Sequence, residues 1–90
     1  MPVVYILLSV KDPQRYYIGV GVTQDLEKRF KEHNEAKTGY SKQYAPWKIE
    51  TYITFRSRIL AEKFEKYLKS GSGNAFLKKR LILSEAEVLR

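Results

Sequence analysis

Two β-rich runs separated by a turn occupy the first 22 residues, and they constrain the fold more than any other feature of the chain. The first run, VVYILLS at Val3–Ser9, is continuously apolar, which is typical of a central strand covered on both faces. The second run, YYIGVGV at Tyr16–Val22, carries Gly19 and Gly21 in its interior, where glycine weakens a strand. Because the intervening segment contains Asp12-Pro13, a strong turn signal, the two runs are predicted to form an antiparallel hairpin.

The middle of the chain predicts a helix, a loop and a third strand. TQDLEKRFKEHN, residues 23–34, reads as a helix with Thr23 as its N-cap. Residues 35–46 have no clean periodicity and contain a glycine and a proline, so they are expected to form a loop. WKIETYITF, Trp47–Phe55, alternates apolar and polar residues, which predicts a strand with one buried side.

Two helices are predicted in the last third of the chain. The first follows Ser57, a suitable N-cap, and repeats apolar residues at intervals of four, at Leu60, Phe64 and Leu68. The second covers residues 73–82. Its buried face is predicted to hold three apolar residues, Phe76, Leu77 and Leu81. Ser84 is expected to cap a last short segment.

The predicted order of elements, β-β-α-β-α-α, places the chain in the α+β class, with a small three-stranded antiparallel sheet flanked by helices. Ninety residues provide one domain and leave little room for a second. We assign that domain to residues 1–83 and treat residues 84–90 as a short C-terminal tail.

Composition limits the classes of function. Seventeen Lys and Arg against ten Asp and Glu give a formal charge of +7, which favours a polyanionic partner, nucleic acid first and an anionic membrane second. The alternative is that the charge only maintains solubility. The chain has no cysteine, so a disulfide framework and a thiolate zinc site are excluded. The apolar start is too short for a membrane span and lacks the cationic lead-in of a signal peptide, so we expect a cytoplasmic protein.

Several kinds of catalytic site are also excluded. With no cysteine and a single histidine, the chain cannot build an imidazole-rich metal site. Neither Gly19-Val20-Gly21 nor Gly71-Ser72-Gly73 ends in the lysine of a phosphate loop, and no serine lies in a nucleophile elbow. What remains is a set of tyrosines, arginines, one histidine and a helical glutamate. That set suits phosphodiester chemistry, in which cations hold phosphate, a carboxylate holds Mg²⁺ and a phenol or imidazole handles a proton of water.

Five segments in this order and spacing resemble the GIY-YIG nuclease domain, and more closely its small stand-alone bacterial members: VVYIL, YIG, DLEKRFKEHN, AEKFEKYLK and GNAFLKKR. The similarity runs from Val3 to about Leu81. It implies a metal-dependent endonuclease that uses Mg²⁺ or Mn²⁺ and acts on nucleic acid, with DNA as the expected form. A protein partner could supply specificity, and the oligomeric state is left open.

The resemblance also implies roles for individual residues. Tyr5 matches the tyrosine of the first motif, which here reads Val-Val-Tyr, and Tyr17 matches the tyrosine of an intact second motif. These phenols are expected to position a water and accept its proton. Arg29 would hold the phosphate, His33 would support catalysis, and Glu65 would bind the metal. Without the resemblance, the two tyrosines would be ordinary strand aromatics and Arg29 a solvated charge. His33 would be a cation at the end of its helix, and Glu65 would belong to a surface ion pair.

A second group is expected to contact the nucleic acid: Lys69, Asn74, Lys78, Lys79 and Arg80. Asn74 resembles a polar position often seen near the site, although it could simply cap a helix. The three consecutive cations would provide a phosphate track, or else a solvated surface.

The chain departs from the family by an apparent extra Val-Gly pair after the second motif. If Tyr17 keeps its place, these residues could form a bulge that Gly21 makes possible. If instead the alignment with the family is fixed at Arg29, Gly19 falls at the position of the second motif's tyrosine, and the site loses a phenol. The eleven residues between Tyr5 and Tyr17 favour the first option. An endonuclease is therefore the primary hypothesis, a non-catalytic DNA- or RNA-binding module is the alternative, and a protein-interaction domain is a weaker third.

Overall fold

The structure, a computed structural model, describes residues 1–83 and Glu87. The strands are β1 (Pro2–Ser9), β2 (Tyr16–Val22) and β3 (Trp47–Thr54), and they form one antiparallel sheet in the order β2-β1-β3. The hairpin and the α+β class are confirmed, with β1 as the buried central strand. The predicted cap at Ser84 lies outside the described residues, as does the rest of the tail apart from Glu87.

Within residues 1–83, four helices flank the sheet: α1 (Leu26–Asn34), α2 (Gly39–Gln43), α3 (Arg58–Leu68) and α4 (Gly71–Phe76). A 3-10 turn precedes α1, and a π-helical turn at Leu77–Leu81 follows α4. The prediction that residues 35–46 form only a loop is wrong, because α2 lies within them. Over the described part of the chain, no helix has the length and apolar character needed to cross a membrane.

The sheet separates two hydrophobic cores. The first, which we call the α3 face, contains buried residues from β1, β2, α3 and the turn after α4: Val4, Ile6, Ile18, Ala61, Leu68 and Leu77. The second, the α1 face, contains buried residues from β1, α1 and the start of β3: Val3, Tyr5, Leu7, Leu26 and Trp47. Since alternate residues of β1 enter opposite cores, the strand is buried along nearly its whole length.

Strand β3 changes faces along its length, so the prediction of one buried side for the whole strand is wrong. In the pairing with β1, Glu50 is an extra residue between Ile49 and Thr51. Because side chains alternate with a period of two, one extra residue moves the following side chains to the other face. Trp47 therefore packs on the α1 face, whereas Phe55 packs against the α3 face.

The hairpin has no such irregularity. Its pairing runs without interruption from Pro2 opposite Val22 to Leu8 opposite Tyr16. The expected bulge at Gly21 is therefore wrong, and the extra Val-Gly pair lies in regular strand.

Of the predicted caps at Thr23 and Ser57, which both lie in the described residues, one is confirmed. Ser57 accepts a hydrogen bond from Ile59 N at 3.2 Å at the start of α3. Thr23, by contrast, caps no helix, because its hydroxyl donates to the Met1 carbonyl oxygen at 2.9 Å and a 3-10 turn begins there instead.

The buried faces of α3 and α4 differ in part from the prediction. Leu60 is 52% exposed, while its neighbour Ala61 is fully buried. The small side chain of Ala61 faces the sheet and lets α3 lie close to it, which turns Leu60 outward. Phe76, which was predicted to be buried, is 37% exposed, whereas Leu77 is fully buried as predicted.

Candidate active site

Three aromatic side chains meet on the α1 face. The rings of Tyr17 and His33 are 4.2 Å apart between centroids, and the ring of Tyr5 is 6.4 Å from each of them. Tyr5 is 2% exposed, whereas Tyr17 and His33 are partly exposed. The hairpin and α1 thus bring together three of the five residues to which the resemblance assigns catalysis.

Gly19 makes room for this cluster. It pairs directly with Tyr5, and a Cβ built on it would overlap Cζ and Oη of the tyrosine and lie 2.7 Å from Cε2. The Tyr5 ring therefore extends across β2 at a position where only glycine fits. Gly21 is different, because a Cβ there would have nothing within 4 Å.

Helix α2 supports the cluster from the side, and sequence reasoning missed its contribution. Ser41 Oγ lies 2.9 Å from His33 Nδ1 in a hydrogen bond. The indole of Trp47 donates to the Ser41 carbonyl oxygen at 2.8 Å, and the Tyr40 hydroxyl donates to the Tyr16 carbonyl oxygen at 2.9 Å. These bonds attach α2 to both edge strands.

The charges around Tyr5 come from both faces of the sheet. Burial raises the pKa of its phenol, and the neighbouring Tyr17 raises it further, while the Arg29 guanidinium lowers it. The carboxylates of Glu32 and Glu65 also raise this pKa. Tyr5 therefore keeps its proton at neutral pH. Glu65 is the smallest of these influences, and it comes from α3 rather than from α1.

His33 is held in its neutral form. Burial is the main cause that lowers the pKa of the imidazole, and Arg29 acts in the same direction, whereas Glu32 opposes them. Its ring is thus uncharged at neutral pH and has one nitrogen with a proton and one without.

Arg29 presents an exposed guanidinium beside this cluster. Within the described ranges it forms no hydrogen bond and no ion pair, although its charge acts on both Tyr5 and His33. A free guanidinium has a planar set of donors that matches phosphate oxygens, so Arg29 is available to bind an anion.

Glu65 is the one carboxylate of α3 that is partly buried among those described there, with 19% of its side chain exposed, and it pairs with Lys69 Nζ at 3.2 Å. No three His, Cys, Asp or Glu side chains of the described residues converge as a metal-binding group. A single carboxylate still suits Mg²⁺, which keeps several waters and binds through one or two carboxylates and the phosphates of a substrate. The donor set therefore fits one divalent ion.

The expected nucleic-acid-binding residues separate into two places. The Asn74 side-chain amide donates to the Tyr16 hydroxyl, which places Asn74 against β2, and Lys69 lies beside Glu65. Lys79 and Arg80 instead line a cavity of about 230 Å³ next to Thr51 of β3, the opposite edge of the sheet. Lys78 is exposed in the same turn.

A family model described as the GIY-YIG catalytic domain matches residues 1–80. The chain belongs to the GIY-YIG family. At the level of the family, this GIY-YIG domain indicates nuclease-type cleavage of nucleic acid. Comparison with curated proteins and with solved structures found no significant match.

Proposed function

We propose that this GIY-YIG domain is an endonuclease that hydrolyses phosphodiester bonds with the help of one Mg²⁺ or Mn²⁺ ion bound by Glu65. The observation that carries the proposal is the aromatic cluster of Tyr5, Tyr17 and His33, beside which α1 presents the exposed guanidinium of Arg29. We expect Glu65, the partly buried carboxylate of α3, to supply together with Arg29 the pair of opposite charges that phosphoryl transfer requires.

The proposed catalytic residues have different roles, which follow from their surroundings. The unpaired Arg29 would hold the scissile phosphate and offset its charge in the transition state. Tyr17 is more open to solvent than Tyr5 and packs against His33, so it is the phenol better placed to meet the attacking water. Tyr5 keeps its proton and would donate a hydrogen bond to the water or to a phosphate oxygen.

The metal site would form by displacement of a weak ion pair. Lys69 has 54% of its side chain exposed, and ion pairs with so exposed a partner contribute little to stability, so a divalent cation can replace the ammonium at Glu65. Bound there, the ion would supply Lewis-acid stabilisation of the leaving oxygen. The released Lys69 would remain beside the site as a phosphate ligand.

Nucleic acid would bind through the phosphate backbone. We expect Lys69 and Asn74 to contact it near the cleavage site, and Lys78, Lys79 and Arg80 to contact a more distant stretch, because they lie towards the other edge of the sheet. DNA is the expected substrate. So small a domain has little surface to read bases, so a partner protein or the shape of the nucleic acid would supply specificity.

The test is cleavage of supercoiled plasmid in Mg²⁺ by the wild type, by Glu65→Gln and by Glu62→Gln. Glu62 lies on the same helix and pairs with Arg58 at 3.1 Å, but 51% of its side chain is exposed, so it is a matched control. We expect Glu65→Gln to abolish cleavage while DNA binding remains, and Glu62→Gln to cleave as the wild type does.

Two results would refute the endonuclease. Cleavage unchanged in Glu65→Gln would mean that the activity does not arise at this site. Salt-sensitive DNA binding without cleavage by the wild type would instead identify the non-catalytic binding module. Several phosphate contacts would give that binding a log–log slope of about −0.9 per contact on duplex DNA.

A further inference from the structure

The geometry points to Ser41 as the residue that positions His33, with the serine hydroxyl donating to Nδ1 so that the neutral ring carries its proton on Nε2. Ser41 belongs to none of the motifs of the resemblance and lies in a helix that the sequence did not predict. Its consequence for catalysis rests on the proposed nuclease function, whereas the hydrogen bond and the protonated nitrogen can be tested without it.

Ser41 is held in place by a ring of hydrogen bonds that connects it through Trp47 and Asn34 to His33. Its carbonyl oxygen accepts from the Trp47 indole, and Trp47 is 2% exposed. The side chain of Asn34 accepts from the Trp47 backbone N–H at 2.5 Å and donates to its carbonyl oxygen at 3.2 Å. Asn34 follows His33 directly in α1, and His33 Nδ1 returns to Ser41 Oγ. The hydroxyl and the imidazole are therefore held at hydrogen-bond distance from both sides.

The direction of the bond follows from the number of protons. A serine hydroxyl has one proton to donate, and a neutral imidazole has one nitrogen that accepts and one that donates. In residues 1–83, Ser41 Oγ meets no acceptor other than His33 Nδ1. The hydroxyl could also accept from the ring, but only donation gives the serine proton an acceptor among these residues, and it leaves the ring proton on Nε2.

This arrangement defines what His33 can do. Its accepting nitrogen is occupied, so the ring is a hydrogen-bond donor and not a resting base. The charged and titratable groups that act on it are Arg29 and Glu32 of α1, and its ring faces are next to Tyr17 and Tyr5 of the hairpin. A donor at this place stabilises the anionic oxygens of the phosphate, which is how His33 would support the reaction.

The chain contains a single histidine, so its imidazole nitrogens can be observed without ambiguity. The experiment is a long-range ¹H–¹⁵N correlation spectrum of the ¹⁵N-labelled full chain above pH 7. We expect the limiting shifts of one tautomer in the wild type, with Nδ1 unprotonated and Nε2 protonated. A protonated Nδ1, or shifts averaged between the two tautomers, would overturn the proposal.

Three variants separate positioning from general stability. Ser41→Ala should give averaged tautomer shifts and weaken the nuclear Overhauser effects between the rings of His33 and Tyr17. Ser41→Thr keeps the hydroxyl and should restore both signals. Ser72→Ala removes an exposed serine of α4 and should leave them unchanged. His33 signals that are identical in Ser41→Ala and the wild type would refute the role of Ser41.

Kinetics supply an independent readout. Loss of one preorganised hydrogen-bond donor costs about 10²–10³-fold in kcat, so loss of its orientation alone should lower kcat by about tenfold, with KM unchanged and rescue by Ser41→Thr. Equal kcat in Ser41→Ala and wild type would contradict the proposal. If the wild type cleaves no DNA, the proposed function fails, while the spectra still decide whether Ser41 sets the state of His33.

Discussion

Replacement of Gly19 by alanine tests the central contact of the site. The added methyl would overlap Cζ and Oη of Tyr5, whose ring is 2% exposed and cannot move into solvent without leaving the core. Overpacking of a filled site costs about 1–3 kcal/mol, and each kcal/mol shifts Tm by about 4–8 °C in a domain of this size. A midrange loss of about 2 kcal/mol therefore corresponds to a decrease of about 8–16 °C in Tm.

The matched control is Gly21→Ala, two residues along the same strand and on the same face. Its methyl would have nothing within 4 Å, and its backbone angle is open to alanine. We expect the free energy of unfolding to change by less than about 1 kcal/mol, on the stabilising side, because alanine restricts the unfolded chain. Thermal unfolding followed by circular dichroism compares the two variants directly.

A double-mutant cycle isolates the contact from other effects of the substitution. Tyr5→Leu removes the ring that the methyl would meet, so Gly19→Ala should cost much less in that background than in the wild type. An equal cost in both backgrounds, or equal shifts of Tm for Gly19→Ala and Gly21→Ala, would refute the steric explanation.

Three further predictions concern stability, each measured by urea denaturation. Burial lowers the pKa of His33, so just below pH 6.5 the imidazole binds a proton in the unfolded chain but not in the native protein. The free energy of unfolding should therefore rise with pH in this range, and His33→Gln should flatten that rise. Leu68→Ala should lower the free energy of unfolding by about 2–5 kcal/mol, because Leu68 is fully buried. Leu60→Ala should lower it by less than about 1 kcal/mol, because the Leu60 side chain is 52% exposed. Similar losses in the two variants would contradict the packing of α3. Ser9→Ala should cost about 1–3 kcal/mol, because the fully buried hydroxyl donates to the Tyr44 carbonyl oxygen at 2.6 Å, and an unchanged midpoint would show that the bond contributes nothing.

The hairpin and the cap of α3 could be predicted because their signals are local. A continuous apolar run, a Pro-containing turn and a second β-rich run leave few alternatives, and Ser57 needs only the backbone of Ile59 to act as a cap. Helix α2 escaped prediction because five residues give too short a window for periodicity. Its one local signal is the spacing of Tyr40 and Tyr44 by four residues, and their rings do lie 4.9 Å apart.

The site itself could be predicted only by resemblance. Nothing local relates Glu65 on α3 to Tyr5 on β1, since their relative position depends on how α3 packs against the sheet. The contact of Ser41 with His33 depends in turn on Trp47, which reaches α2 from the start of another strand. Leu60 was wrongly predicted to be buried for a related reason. The prediction followed the repeat of large apolar residues in α3 and did not consider Ala61, which is the side chain that faces the sheet.

The extra residue in β3 sets the relative position of the two halves of the site. Before Glu50, the strand supports α2, and through it His33, by way of Trp47. After Glu50, and just beyond the end of the strand, the ring of Phe55 packs at a tilt against Phe64, the neighbour of Glu65 in α3. Deletion of this single residue would restore strict alternation and invert one end of the strand relative to the other. The position of the imidazole relative to Glu65, the carboxylate proposed to bind the metal, thus depends on an irregularity remote from the reacting groups, and a substitution there could disable the domain while every chemical group remained in place.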